Sequence, residues 1–398
     1  MEVSPSDKVL LTELRSKISA ELELVPAYND DMSLMRWLIG WERRVDVIVP
    51  KISAALKCIH ALRLHEADFS SLEKVTEYCD AISEPLRWMP GSLIGFDRDG
   101  NVVALHTMGR LDFQGLFQCV RHSDLYRLNI ADSEGVMSVI RAREKVLGRQ
   151  LGTVLIFDLD GLTMGSVDVI GMKALTTMLG HLQDLFPDVV RKIFIINAPT
   201  FIQVIWSMIS PVLAKQTLQK ISFLSGDWKK QLNEAIGPDV LFPHWGGSRI
   251  SELGERGFVK MAGKVPVEKL RYNPADDLPT STLKSLKVSA RSTAFVTVNV
   301  TGSQPAGTRR RLRWWWRVDS GDVNFSVLRA APGSETVAES TDDVVVHPKF
   351  RLQTTYVPED GEIDADVPGV YKLVFDNTHS RLWSKTIRYL TEERLSSI

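Results

Sequence analysis

Lys192–Pro211, KIFIINAPTFIQVIWSMISP, decides how this chain is read. The run KIFII is short and rich in β-branched residues, so it reads as a buried strand. It ends at Asn197-Ala198-Pro199, because proline restricts the residue before it and cannot donate to a ladder. A longer apolar segment follows, Phe201 to Leu213. Placed on a helix, Gln203, Ser207 and Ser210 fall at spacings of four and three and form one narrow polar stripe. Phe201, Ile202, Val204, Ile205, Trp206, Met208, Ile209, Val212 and Leu213 occupy the broad remainder, an arc too wide for contact on one side only, and Phe201, Val204, Ile205, Met208, Ile209 and Val212 are the residues expected to meet a ligand. Two arrangements satisfy it: a packed interior helix, or a helix that closes an apolar cavity and meets a bilayer when the cavity opens.

The flanking sequence sets this stretch in an α/β domain. TVLIFDLDG (Thr153–Gly161) and KISFL (Lys220–Leu224) read as further buried strands, with helices expected near Asp168–Phe186, Phe201–Leu213 and Trp228–Ile236. Upstream, Asp-Gly between SLIGF and NVVALHTM predicts a β-hairpin. Asn29–Leu56 reads as one helix capped by Asn-Asp-Asp, with Leu34, Leu38, Trp41, Val45, Ile48 and Ile52 along one face. After about residue 265 the texture turns to Ser, Thr, Val and Arg in period-two alternation with turns such as TGSQPAG, which predicts an antiparallel β-sandwich. The expected organisation is an N-terminal helical subdomain (1–75), an α/β domain (76–248), a linker (249–265) and a β-sandwich (266–398).

Composition narrows the function classes. With 398 residues, 44% hydrophobic and 24% charged, the chain can bury more than one core. Lys plus Arg total 48 against 49 Asp plus Glu, so no global field favours nucleic acid. The three cysteines form no CxxC pair and the eight histidines no HExxH, so neither a metal nor another cofactor is expected. The N-terminus lacks the apolar core of a signal peptide, and no run of ~18 apolar residues spans a bilayer. A cytoplasmic protein that visits membranes transiently is expected.

Two stretches invite other readings. VLIFDLDGLT (Val154–Thr163) resembles the first motif of haloacid dehalogenase-type phosphatases, in which Asp158 would attack phosphorus and Asp160 act as acid/base. The chain has Leu162 where that motif continues with Thr, and its later Asp-Asp pairs, Asp276-Asp277 and Asp342-Asp343, fall in or near the β-rich region. The structural alternative is a strand closed by acidic residues that turn on Gly161. In RRRLRWWWRVD (Arg309–Asp319), alternation sends Leu312, Trp314, Trp316 and Val318 to the core. Arg311, Arg313, Trp315 and Arg317 then face outward as a cationic stripe for anionic headgroups or an acidic partner, or as an ordinary solvated face.

KIFIINAPTFIQVIWSMISPVLAKQTLQKISFL, followed by GDWKKQLNEAI and LFPHWGG, resembles the lipid-binding core of the CRAL-TRIO family, which includes phosphatidylinositol-transfer, tocopherol-transfer and retinaldehyde-binding proteins. FDRDGNVVALHTMGRLDFQGL is similar to that family's hairpin, and DDMSLMRWLIGWERRVDVI to its N-terminal helices. GDVNFSVL and PGVYKLVFDNTHSRLWSKTIRYL resemble the GOLD β-sandwich, a pairing found in the supernatant protein factor group. The resemblance implies a hydrophobic lipid ligand (a phospholipid such as phosphatidylinositol, or a tocopherol- or squalene-like molecule) and no catalysis. It also implies a gate helix at Phe201–Leu213, and headgroup anchoring at the positions matched by Asp188 and Lys220. The GOLD domain would contact membrane or protein through Arg313, Trp315 and Arg317. A lipid-sensing trafficking or signalling adaptor is the alternative reading.

Overall fold

A computed structural model describes residues 3–166, 169–302 and 307–397. The expected helix start at Asp168 and the centre of the TGSQPAG turn lie outside those residues. By contacts the chain divides into two units, Met1–Leu116 with Leu128–Val267, and Phe117–Arg127 with Glu268–Ile398.

The first unit begins with α1 (Pro5–Lys17), α2 (Ser19–Leu24), α3 (Asp31–Gly40), α4 (Val45–Ala61) and α5 (Leu72–Asp80). Asp30 caps α3 as expected, accepting a hydrogen bond from the Ser33 N–H at 2.9 Å. The single helix expected over Asn29–Leu56 is two, because Glu42 and Arg43 take left-handed φ of 54° and 61° and turn the chain. The apolar stripe survives the break, with Leu34, Leu38, Ile48, Ile52 and Leu56 all buried.

The α/β part follows: β1 (Ser92–Phe96), β2 (Val102–His106), α6 (Phe113–Phe117), α7 (His122–Leu147), β3 (Thr153–Asp158), α8 (Val169–Leu185), β4 (Val190–Ile196), α9 (Ile202–Ile209), α10 (Lys215–Leu218), β5 (Ile221–Phe223) and α11 (Trp228–Ile236). The sheet runs β1-β2-β3-β4-β5, antiparallel at the β1/β2 hairpin and parallel thereafter. On one face Val103, Ile156, Phe194 and Ile196 pack with Leu232, Ile236 and Trp245 into a solid core. Of residues 249–265, expected as a linker, Ile250 and Leu253 are exposed, while 259–265 form a packed strap. Val259, Ala262 and Val265 are buried, and Lys260 N–H donates to Ser92 Oγ at 2.8 Å.

The second unit holds two four-stranded antiparallel sheets built from β6 (Lys284–Val288), β7 (Thr293–Val300), β8 (Thr308–Val318), β9 (Asp322–Arg329), β10 (Val344–Gln353), β11 (Glu359–Asp364), β12 (Gly369–Asp376) and β13 (Lys385–Ser397). Their orders are β10-β9-β12-β7 and β11-β8-β13-β6. Trp316 meets Phe325 and Phe375 with ring centroids 5.1 and 5.4 Å apart, so aromatic pairs join the two inner faces. Lys372 is fully buried, its ammonium 2.6 Å from Asp343 Oδ2 and donating to two backbone carbonyls, the partners a charge in a core requires. Phe117–Arg127, which includes the first turn of α7, belongs to this unit. There Tyr126 stacks on Phe350 at 4.8 Å, and Ser123 N–H donates to Glu359.

Candidate lipid-binding cavity

The same strands that fill the core on one face leave a hollow on the other. Alternation along β3 and β4 sends Val154, Ile156, Phe194 and Ile196 to the solid core, and Leu155, Phe157, Ile193 and Ile195 to a cavity of ≈ 540 Å³. Leu155 and Phe157 are only half-buried because they face empty space rather than side chains. The roof is α8 and α9, contributing Leu175, Leu179, Ile205 and Ile209 among others. Packed interiors leave few voids larger than a water, so a volume this size among apolar side chains has the dimensions of a ligand site.

The segment after the Asn-Ala-Pro turn is pinned at both ends. At its start Asn197 adopts φ 54°, a left-handed conformation that asparagine tolerates, and its Nδ2 donates to Asp158 Oδ1 at 2.8 Å. At its end Gln183 of α8 donates to Val212 O at 2.7 Å and accepts from the Ala214 N–H at 2.5 Å. Between these anchors the eight residues of α9 carry no charge and no side-chain N-cap.

Of the residues expected to line the cavity, Ile205 and Ile209 do so. Val204 and Met208 point away and are 48% and 38% exposed, and Phe201 and Val212 are not in the lining. Ile202, Trp206 and Leu213 line it in their place. Trp206 also packs edge-on against Phe223 at 5.4 Å, and Phe223, at the cavity's edge, is 42% exposed.

Asp188 and Lys220, 32 residues apart, meet at the cavity wall with Lys220 Nζ 2.9 Å from Asp188 Oδ1. Lys220 also donates to Val190 O at 2.7 Å, and Arg191 holds the other Asp188 oxygen at 3.2 Å. Behind them lies a network that sequence reasoning missed. Arg36 of α3 pairs with Glu144 of α7 and donates to Leu151 O at 2.7 Å, while Arg191 reaches the same carbonyl at 2.8 Å. Burial lowers the Arg36 pKa, the Glu144 carboxylate opposes that shift, and the Arg191 charge adds to it.

Asp158 serves the fold. It is buried, and its oxygens accept from Asn197 Nδ2 at 2.8 Å, the Asp160 N–H at 3.0 Å and Trp245 Nε1 at 3.0 Å. Asp160 pairs with Arg110 at 2.6 Å. Asp158, the nucleophile of the phosphatase alternative, is thus buried and held by three donors, whereas Asp160 is exposed beside Arg110. Among the described residues no group of His, Cys, Asp and Glu has the geometry of a metal site.

The outward stripe expected on β8 also needs correction. Trp315 is 8% exposed, Arg313 forms a bidentate pair with Asp360 at 3.1 and 3.0 Å, and Arg317 pairs with Asp277 at 2.9 Å. Alternation gave the right face, but chain from 268–283, including Asp277, covers part of it, and β11 supplies the counter-charges.

Residues 89–247 match the family model described as the CRAL/TRIO domain. Protein ctg-1 of Caenorhabditis elegans is 25% identical over 407 residues, covering 98% of this chain and 99% of that protein. Protein real-time of Drosophila melanogaster is 24% identical over 307 residues, covering 74% of this chain but 43% of that longer protein. A solved structure, the crystal structure of Sfh5, aligns at TM-score 0.45 and 15% identity, covering 69% of this chain and 93% of that one. By that family-model match, residues 89–247 carry the CRAL/TRIO fold, and the CRAL/TRIO family binds hydrophobic lipids. Among the described residues no helix is long and apolar enough to cross a membrane.

Proposed function

We propose that this chain shelters one hydrophobic lipid in the cavity and carries or presents it between membranes, with α9 as the gate. The observation that carries the reading is the ≈ 540 Å³ hollow on one face of a sheet whose other face is solidly packed. Two acyl chains of ~30 methylenes at ~0.8 kcal/mol each make desorption into water cost roughly 24 kcal/mol, and an apolar lining replaces most of the environment the lipid leaves. No bond is made or broken; the protein lowers the transfer barrier.

The fixed ends of the 197–214 segment support a hinged lid. Its outer face carries Val204 and Met208, with exposed Phe223 beside it, an apolar patch suited to a bilayer surface. Asp188 and Lys220 anchor the polar end of the ligand, and a phosphatidylinositol-like headgroup would have to enter that ion pair. The C-terminal sandwich is read as a GOLD module that docks to membrane or protein. Because Arg313 and Arg317 are neutralised within their own unit and Trp315 is buried, that docking is not assigned to them. The location that fits is the cytoplasm, with transient membrane association.

Native mass spectrometry of the purified chain, with extraction of its lipid, tests the reading together with transfer of labelled lipid between vesicles. A bound lipid of stoichiometry near one and accelerated transfer are expected. Protein that is ligand-free, takes up no added lipid and moves none would refute it.

A further inference from the structure

The cavity has a second polar pole, away from the Asp188–Lys220 pair. Lys220 immediately precedes the row Ile221–Ile193–Leu155–Ala104, and His106 lies two residues beyond it on β2. Three strand spacings across and three residues along put the two Cα atoms roughly 17 Å apart. Lys260 of the strap joins this end of the lining, because Thr107, the neighbour of His106, donates to its carbonyl; the Lys260 ammonium pairs with Asp80 of α5 and acts on Asp132 of α7 and Cys79 of α5, and all four line the cavity with His106. Asp132 is brought there by helical periodicity, since Asn129, Asp132, Ser133 and Val136 form the cavity face of α7.

At this pole the carboxylates outnumber the cations. The Asp132 carboxylate accepts no hydrogen bond from any described residue, and the one cation acting on it is Lys260. That ammonium is already paired with Asp80, and its backbone is fixed by Ser92 and by Thr107, whose hydroxyl donates to Lys260 O at 3.0 Å. Burial keeps the His106 ring neutral and pushes the Cys79 thiol up, so neither adds positive or negative charge at neutral pH. His106 Nδ1 lies 3.4 Å from Pro90 O; a carbonyl only accepts, so the ring hydrogen belongs on Nδ1 and Nε2 offers a lone pair. Two carboxylates against one ammonium leave one net negative charge beside an apolar volume, a costly arrangement until a cation arrives.

We propose that this pole seats the primary ammonium of the bound lipid, with Asp132 and His106 Nε2 accepting its N–H bonds. An ammonium brings the positive charge and three donors. A hydroxyl brings one donor, and a carboxylate or phosphate brings the wrong sign. This deepens the lipid-binding reading and rests on it: the ligand class becomes an amine-bearing lipid.

The test uses the delipidated full chain and three ligands of one chain length, dodecylamine, dodecanol and dodecanoate, each displacing the uncharged dye Nile red. Dodecylamine is expected to bind about tenfold or more tightly than dodecanol, with dodecanoate weakest. Asp132→Asn should remove most of the amine's advantage while leaving dodecanol within twofold. Equal binding of the three by the native chain, or an amine preference that survives Asp132→Asn, overturns the assignment and leaves the lipid-binding reading standing. If none displaces the dye, both fall. Should the variant not fold, the ranking on the native chain decides alone.

Discussion

Ala104 and Val103 are neighbours on β2 that face opposite ways, Ala104 into the cavity and Val103 into the solid core. Replacing each with phenylalanine asks the same question of both faces. A benzene ring fits a void of roughly 150 Å³. Against ≈ 540 Å³ the ring of Ala104→Phe takes about a quarter of the space and leaves its neighbours in place. Its effect on stability is expected to lie within about 0.5 kcal/mol of zero, or to be favourable through the apolar area it buries. Val103→Phe enters a region without free volume and should cost about 1–3 kcal/mol. Urea denaturation reads both, and the same proteins are loaded with lipid. Ala104→Phe should fold normally yet take up less ligand, whereas Val103→Phe should lose stability with its remaining folded fraction still binding. Equal destabilisation by the two substitutions would mean that the hollow does not exist in solution, and the lipid-carrier reading would go with it.

Other substitutions separate structural from functional roles. Asp158→Asn turns an amide donor toward at least one of the N–H groups now held by Asp158, so it should destabilise the first unit by about 2–4 kcal/mol; a denaturation midpoint unchanged from the native chain would contradict the structural role. Val204→Ser with Met208→Ser leaves the cavity lining intact but removes outward apolar area. Vesicle-to-vesicle transfer should slow several-fold while lipid content stays the same, and a matching fall in lipid content would count against the gate. Burial pushes the Glu359 carboxyl up to about 7, opposed by hydrogen bonds from Ser123 and by Arg121. Native protein therefore holds a proton that the unfolded chain, titrating near 4.3, releases as pH rises between those values, so this group's contribution to stability falls across that window by about 4 kcal/mol. Glu359→Gln should lack that decline. Comparing the two proteins at matched pH cancels the opposite slope of buried His122 and His347, both lowered to about 4; parallel stability profiles would refute it.

The stretch from Lys192 to Pro211 made the strand, the break and the apolar helix legible, since each depends on local rules. Which flank of the helix turns inward was not legible. At about 100° per residue, Val204 and Met208 flank one side of the Gln203–Ser207–Ser210 stripe, and Ile202, Trp206 and Leu213 flank the other, with similar hydropathy. Only the position of α9 over the sheet distinguishes them. Trp315 failed for a related reason: period two assigns its face correctly, but cover from chain some forty residues away has no local signature. Asp132 reads as an ordinary charge on a solvated helix face until the tertiary fold brings Lys260 to it from 128 residues away. The Asp188–Lys220 pair was reachable only through resemblance, because nothing in local pattern joins a loop before β4 to the residue before β5.

A hollow of this size also constrains the resting state. Cavities left in apolar cores cost about 24 cal/mol per Å³, so ≈ 540 Å³ kept dry and empty would cost up to roughly 13 kcal/mol. That rivals the whole stability of a typical domain, about 5–15 kcal/mol. Water entering past Phe223 and the polar residues of the lining offsets part of the cost, but Leu155, Phe157, Ile193 and Ile195 offer it few partners. The occupied protein should therefore be substantially more stable than the emptied one. Stripping lipid with a hydrophobic resin is expected to lower the melting temperature by several degrees and to increase binding of a dye that reports exposed apolar surface, with both changes reversed on reloading. If the stripped chain melts where the loaded chain does and binds no more dye, the volume is either well hydrated or closed by collapse of α9 onto the sheet, and the lipid contributes nothing to the fold it occupies.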